Sequence, residues 1–166
     1  CDLNQNMDWM ESLVTYIIDE VLKHCQSELN VLERNIDKLE AVRSPFPRIT
    51  YDEAVDILKQ NNIDFTYGKD FGASDETTIS KQYDSPVMIH SWPADTKAFY
   101  MKRDEINNNL ALGVDMIAPE GYGEIVGGGQ REDNIDILIE TIRHHDLPLK
   151  PFEWYLDLRK YGSVPH

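Results

Sequence analysis

The sequence predicts an α+β fold in which an antiparallel sheet is flanked by helices. Three observations predict it: apolar residues at helical spacing near the start, short β-rich segments between residues 87 and 131, and helical spacing again after residue 133. In the first stretch Met7, Met10, Leu13, Val14, Ile17, Ile18, Val21, Leu22 and Cys25 follow one another largely at helical intervals, forming one apolar stripe on a long helix. Cys25 falls in phase with that stripe and is expected to be a buried free thiol. The pattern fades through the charged stretch Glu33–Arg43, and Ser44-Pro45-Phe46-Pro47 ends helical structure because each proline disfavours helix in the residue before it. Thr50-Tyr-Asp-Glu53 is a capping box opening a short helix with Ala54, Ile57 and Leu58 inward.

Residues 61–86 are polar, with Gly68, Gly72 and Pro86, and read as loop. Val87–Trp92, Ala98–Lys102, Leu110–Ala118 and Glu124–Arg131 read as strands, separated by Pro93, Asn107–Asn109 and Pro119–Gly123. Their short links favour antiparallel pairing over βαβ units. Asp133 is expected to cap a helix carrying Ile135, Leu138, Ile139 and Ile142, and a last helix follows Pro151 through Trp154, Tyr155 and Leu158.

With 16 Lys and Arg against 30 Asp and Glu, a net charge of −14, the surface is a poor general platform for nucleic acid. The 41% hydrophobic content can bury a core. Two cysteines make neither a disulfide framework nor a metal motif and suit a reducing compartment. No apolar run reaches the length of a membrane span, and no basic n-region marks a secretory signal. The absence of an initial Met leads us to expect an excerpt of a longer chain.

Chemistry concentrates between Val114 and Asp133. Asp115 lies on one predicted strand and Glu124 opens the next, so the two carboxylates can converge, as Mg²⁺ requires when phosphate and water supply its other ligands. Two solvated strand-end acids are the bland alternative. Gly127-Gly128-Gly129 interrupts a strand and implies close approach of something to the backbone, or else a bulge or loose loop. Arg131 follows, its planar fork suited to a carboxylate or amide oxygen, or simply exposed. His90 reads as a satisfied core histidine, His144 and His145 as helix C-terminal residues, and Trp9, Trp92 and Trp154 as core. No Ser/His/Asp or Cys/His arrangement is legible.

Phe46-Pro-Arg-Ile-Thr-Tyr51, Lys97-Ala-Phe-Tyr-Met101, the run Asp115-Met-Ile-Ala-Pro-Glu-Gly-Tyr-Gly-Glu-Ile-Val-Gly-Gly-Gly-Gln-Arg-Glu132, and Arg159-Lys-Tyr-Gly-Ser-Val-Pro-His166 occur in an order that resembles bacterial asparaginyl-tRNA synthetase, a class II enzyme. The resemblance implies activation of asparagine with ATP and transfer to its tRNA. It implies that Glu124 binds ATP and its Mg²⁺ with Asp115 as acidic partner, and that Arg131 reaches the substrate amide oxygen. Gly128 and Gly129 become the floor under the amino acid and Lys97 a further contact with it. No side chain serves as a nucleophile, because the substrate carboxylate does.

The resemblance also implies that residues 1–166 are an incomplete catalytic domain lacking the three class motifs and the anticodon-binding domain, inactive alone. The intact enzyme would be a cytoplasmic homodimer. A paralogue making asparagine from aspartate and ammonia, and a non-catalytic fragment, are the alternatives.

Overall fold

A computed structural model describes residues 1–162; the last four residues of the Arg159–His166 match lie outside the described residues. Helix α1 (Leu3–His24) begins at a reciprocal cap: Gln5 N–H donates to Asp2 Oδ1 at 2.8 Å and Asp2 N–H to Gln5 Oε1 at 3.2 Å. It buries Leu3, Met7 and Met10 on one side of the sheet, against Val42, Phe46, Met88, Val114 and Met116. Cys25 is the junction between α1 and the short α2 (Gln26–Val31), and is half-buried rather than buried as its periodicity predicts. Helix α3 (Ile36–Glu40) occupies part of the charged stretch.

Strand β1 (Arg48–Thr50) was hidden in the proline segment, and it pairs in parallel with β2 (Val87–Pro93), against the all-antiparallel expectation. Two helices make the crossover this requires. Helix α4 (Tyr51–Gln60) starts at the predicted box: Thr50 N–H donates to Glu53 Oε2 at 2.7 Å, and Glu53 N–H to Thr50 Oγ1 at 3.2 Å. Helix α5 (Ala73–Ser80) corrects the reading of 61–86 as loop. Its sequence buries only Ile79 and Ser80, too few positions to show a period, and it is started by Asp75, whose Oδ2 accepts the Gly72 N–H at 2.9 Å.

Strands β3 (Leu110–Ala118) and β4 (Gly123–Gly129) complete the order β1-β2-β3-β4, with β2/β3 and β3/β4 antiparallel. Ala98–Lys102, expected as a strand, is turn. Phe99 leaves the sheet to pack with Leu138 and Ile142, and only an isolated Met101–Arg131 bridge remains. Helix α6 (Ile135–His144) is capped by Asn134 and not by Asp133: Asn134 Oδ1 accepts from Asp136 N–H at 2.9 Å and Ile137 N–H at 3.3 Å. Helix α7 (Glu153–Lys160) packs on α6.

The sheet thus has α1 on one face. The other face packs at one end against α4 and α5 around Tyr51, Leu58, Ile79, Ile89 and Trp92. Of the tryptophans only Trp92, 1% exposed, is core; Trp9 and Trp154 are 72% and 65% exposed. His90 is half-buried, its Nδ1 2.8 Å from Ser91 Oγ, and burial holds its pKa below the usual value. No described helix is long and apolar enough to cross a membrane.

Candidate active site

The end of the sheet face left free by α4 and α5 carries the chemistry. In β3 and β4, Asp115 stands opposite Gly127 and Gly113 opposite Gly129, and opposed residues in an antiparallel pair share a face. Three glycines therefore strip one patch of side chains, with Asp115 at its edge. Gly113 has a definite occupant: the Lys97 stem crosses it, its Cγ 3.5 Å from where a Cβ would stand. The Lys97 ammonium donates to Asp115 Oδ2 and lies 3.6 Å from the centroid of the Trp92 ring. The indole is itself fixed, its Nε1–H donating to the Ile89 carbonyl at 2.9 Å.

Glu124 reaches the same patch through an irregularity. Met116 pairs with Val126 but Ile117 pairs with Glu124, so Ile125 is an extra residue in β4. Plain alternation from Gly127 would turn Glu124 toward α1; the bulge turns it to the Asp115 side. A Cβ on Gly127 would run into Glu124 Oε1 and stand 3.6 Å from Asp115 Oδ1, so both carboxylates reach over the same bare Cα. Burial raises the Asp115 pKa; the Lys97 ammonium opposes that rise, and Glu124 and Asp70 add to it. A cation between Asp115 and Glu124 would relieve this repulsion.

Among the described residues no three His, Cys, Asp or Glu side chains form a cage that could hold a metal. A pair of carboxylates fits Mg²⁺, which takes its remaining ligands from phosphate and water.

Arg131 follows β4. Its guanidinium carbon is 4.5 Å from the Tyr100 ring centroid and its Nη1 3.8 Å from Met101 Sδ. Tyr100 is backed by Tyr155 of α7, edge to face at 6.1 Å. Among the described residues Arg131 has no carboxylate partner within 4.0 Å, so its fork is free for a ligand.

The structure thus brings Asp115, Glu124, Lys97, Gly129 and Arg131 to one side of the sheet. Gly128 is a correction to the expected floor: it faces α1, where a Cβ would stand 2.5 Å from Met10 Cε and 3.0 Å from Asn6 Nδ2. Gly113 and Gly127 take its place beneath the site. Lys97, expected as a substrate contact, is also the ion-pair partner of Asp115.

Sequence reasoning missed Glu76 on α5, whose Oε2 accepts the Glu124 N–H at 3.3 Å. The only available signal was a carboxylate in a stretch without periodicity. Burial raises the Glu76 pKa; the hydrogen bond from Glu124 opposes the rise and Asp70, Asp115 and Asp75 reinforce it. Clefts of about 570 and 680 Å³ around Arg103 and His144 are lined by none of Asp115, Glu124, Lys97 or Arg131.

Comparison with known proteins bears on the family and the fold. The family described as tRNA synthetases class II (D, K and N) matches residues 1–166. The asparagine–tRNA ligase of Sorangium cellulosum is 53% identical over 99% of this chain and 40% of its own length, and that of Desulforamulus reducens 51% identical over 99% and 38%. The crystal structure of asparaginyl-tRNA synthetase from Pyrococcus horikoshii complexed with asparaginyl-adenylate superposes with a TM-score of 0.94, at 42% identity, over 99% of this chain and 38% of that one. The chain therefore spans about two-fifths of the length of the relatives it matches. Matched from end to end, with a four-stranded sheet and flanking helices like those of the solved structures, the chain belongs to the class II tRNA synthetases of the D, K and N type.

Proposed function

We propose that this chain is the part of an asparagine–tRNA ligase that receives asparagine and Mg²⁺–ATP. The observation that carries the reading is the glycine floor with Asp115 and Glu124 on one side and, on the other, Arg131, which has no carboxylate partner among the described residues. The asparagine–tRNA ligases it resembles at 53% and 51% identity support asparagine as the amino acid.

In this reading Arg131 donates to the asparagine amide oxygen, held in plane by Tyr100 and Met101. The absence of a side chain at Gly127 leaves room for the Glu124 carboxylate over the strand, and its absence at Gly129 leaves room for Met101 Sδ beside Arg131. Lys97, anchored on Trp92 and across Gly113, places a positive charge beside Asp115 and toward the amino acid. Asp115 and Glu124 would hold Mg²⁺, which when bound neutralises charge on the ATP phosphates. The asparagine carboxylate attacks the α-phosphorus, the α–β phosphoanhydride bond breaks and pyrophosphate leaves; a tRNA hydroxyl then attacks the adenylate carbonyl carbon, the acyl–phosphate bond breaks and AMP leaves with asparaginyl-tRNA formed. None of these side chains needs to be a nucleophile, so their contribution is positioning and electrostatics.

The 166 residues alone are proposed to be inactive, with the arginine for the α-phosphate and the final Glu-Arg segment supplied by other parts of the intact enzyme. The homodimer of the intact enzyme and the cytoplasm, which suits two free thiols, are proposed with it. ATP–pyrophosphate exchange by the intact enzyme that carries these residues tests the reading. Dependence on asparagine is expected; dependence on aspartate, or ATP-driven formation of asparagine from aspartate and ammonia, would overturn it.

A further inference from the structure

Whether Glu124 points at the site depends on one extra residue in β4, and the turn before that residue is unusual. Glu120, Gly121 and Gly123 all have positive φ, at 63°, 82° and 77°. Two of these glycines are where α5 comes down on the turn. A Cβ on Gly121 would stand 3.7 Å from the Thr77 side chain, and one on Gly123 only 2.8 Å from Glu76 Oε2. The Glu76 carboxylate fills the space a side chain at Gly123 would need and accepts the backbone N–H of Glu124 at 3.3 Å.

From this contact we infer that Glu76 is a positioning residue: it pins the β4 bulge so that the Glu124 carboxylate lies on the Asp115 face, over Gly127. A bulge interrupts the ladder and leaves the local backbone free to adopt either register. Side-chain period is two, so sliding the extra residue out of place would carry Glu124 to the α1 side. The Glu76 hydrogen bond and the close approach at Gly123 hold it against that slip. Stability alone is a poor reason for the carboxylate, since it is half-buried and faces Asp70, Asp75 and Asp115. Like charges at that range oppose one another, so an uncharged residue would suit the fold better. Glu76 acts through Glu124 and touches no reacting atom.

The inference rests on the proposed role of Glu124 in binding Mg²⁺–ATP, and two readouts separate the failures. The first is hydrogen–deuterium exchange of the segment 121–126 without nucleotide. The second is the Mg²⁺ concentration for half-maximal asparagine-dependent ATP–pyrophosphate exchange by the intact enzyme that carries these residues. Glu76→Gln keeps an acceptor oxygen but loses the charge, and is expected to fall between wild type and the variants that lose the acceptor, since a hydrogen bond to a charged group is stronger than one to a neutral group. Glu76→Ala, and Glu76→Asp which falls a methylene short, are expected to raise both by about tenfold, as loss of a hydrogen bond to a charged acceptor does. The KM for asparagine should stay unchanged, which a general loosening of the site would not allow. Unchanged exchange at 121–126 in a folded Glu76→Ala or Glu76→Asp protein would overturn the inference whatever the activity. An unchanged Mg²⁺ midpoint in Glu124→Gln would instead overturn the role of Glu124, while the amide-exchange arm still decides the role of Glu76.

Discussion

Replacing Gly127 with alanine should disable the site while sparing the fold, and the structure gives the magnitudes. The new Cβ would meet Glu124 Oε1 and approach Asp115 Oδ1 at 3.6 Å, both of them ends of side chains that can rotate away. The backbone need not move. Removing a glycine also restricts the unfolded chain, worth about 0.4–1 kcal/mol in favour of folding where the conformation is compatible. The melting temperature is therefore expected to stay within a few degrees of wild type. The displaced Glu124 carboxylate is one of two proposed metal ligands, and its loss should weaken Mg²⁺–ATP binding by at least about tenfold, or 1.4 kcal/mol.

Gly129→Ala is the contrast. Its Cβ would stand 2.6 Å from the Leu112 carbonyl oxygen and 2.9 Å from Gly113 Cα, which are backbone atoms of the neighbouring strand. Relief requires β3 and β4 to separate locally, at a cost of about 1–3 kcal/mol, the range for overpacking. Thermal melts followed by circular dichroism, with calorimetric titration of ATP in Mg²⁺, read both quantities. A Gly127→Ala protein that binds Mg²⁺–ATP like wild type would refute the placement of Glu124 over that glycine.

Other substitutions probe the remaining contacts. Lys97→Met strands the largely buried Asp115 carboxylate and should cost about 3–5 kcal/mol in urea unfolding, most of it recovered in a Lys97→Met, Asp115→Asn double variant. Glu53→Ala removes one arm of the α4 cap and should cost about 0.5–1.5 kcal/mol at neutral pH, the net worth of a hydrogen bond. The hydrogen bonds from the Thr50 backbone and then its hydroxyl hold the Glu53 carboxyl below its usual pKa, so its contribution is complete above about pH 4.5 and fades as pH falls through the folded value. The wild-type and Glu53→Ala unfolding curves should therefore converge in acid, and a gap that persists at pH 2 would contradict the cap. Arg131→Lys keeps the charge but loses the flat stack on Tyr100; the KM for asparagine should rise about tenfold or more with the melting temperature unchanged.

Much of this arrangement was legible because it rests on short-range rules. The α1 stripe, the Thr50–Glu53 cap, the β3–β4 hairpin and α6 follow from spacing and capping chemistry within a few residues. Asp115 and Glu124 were legible as a pair because one turn joins their strands. What stayed hidden depends on contacts between distant residues or on a break in a period. Helix α5 has almost no apolar face, so nothing in its own sequence distinguishes it from loop until Ile79 meets the core. Glu76 was lost with it.

Gly128 was assigned to the floor because three glycines in a row look equivalent. Pairing with β3 decides that Gly127 and Gly129 face the site while Gly128 makes room for Met10. Lys97 and Asp115 meet only because the chain doubles back after Trp92 through the short 3₁₀ turn Ala94–Thr96. Parallel pairing of β1 was equally out of reach, since the crossover that permits it includes the helix that could not be read.

A crystal structure of the protein with Mg²⁺ and a non-hydrolysable asparaginyl-adenylate analogue shows whether the patch between Asp115, Glu124 and Arg131 receives asparagine and Mg²⁺–ATP. The analogue's amide oxygen is expected within about 3 Å of the Arg131 guanidinium, ordinary hydrogen-bond distance. Mg²⁺ is expected between Asp115 and Glu124, above Gly127. An analogue bound elsewhere, or bound here with its amide turned away from Arg131 and both carboxylates free of metal, would contradict this placement.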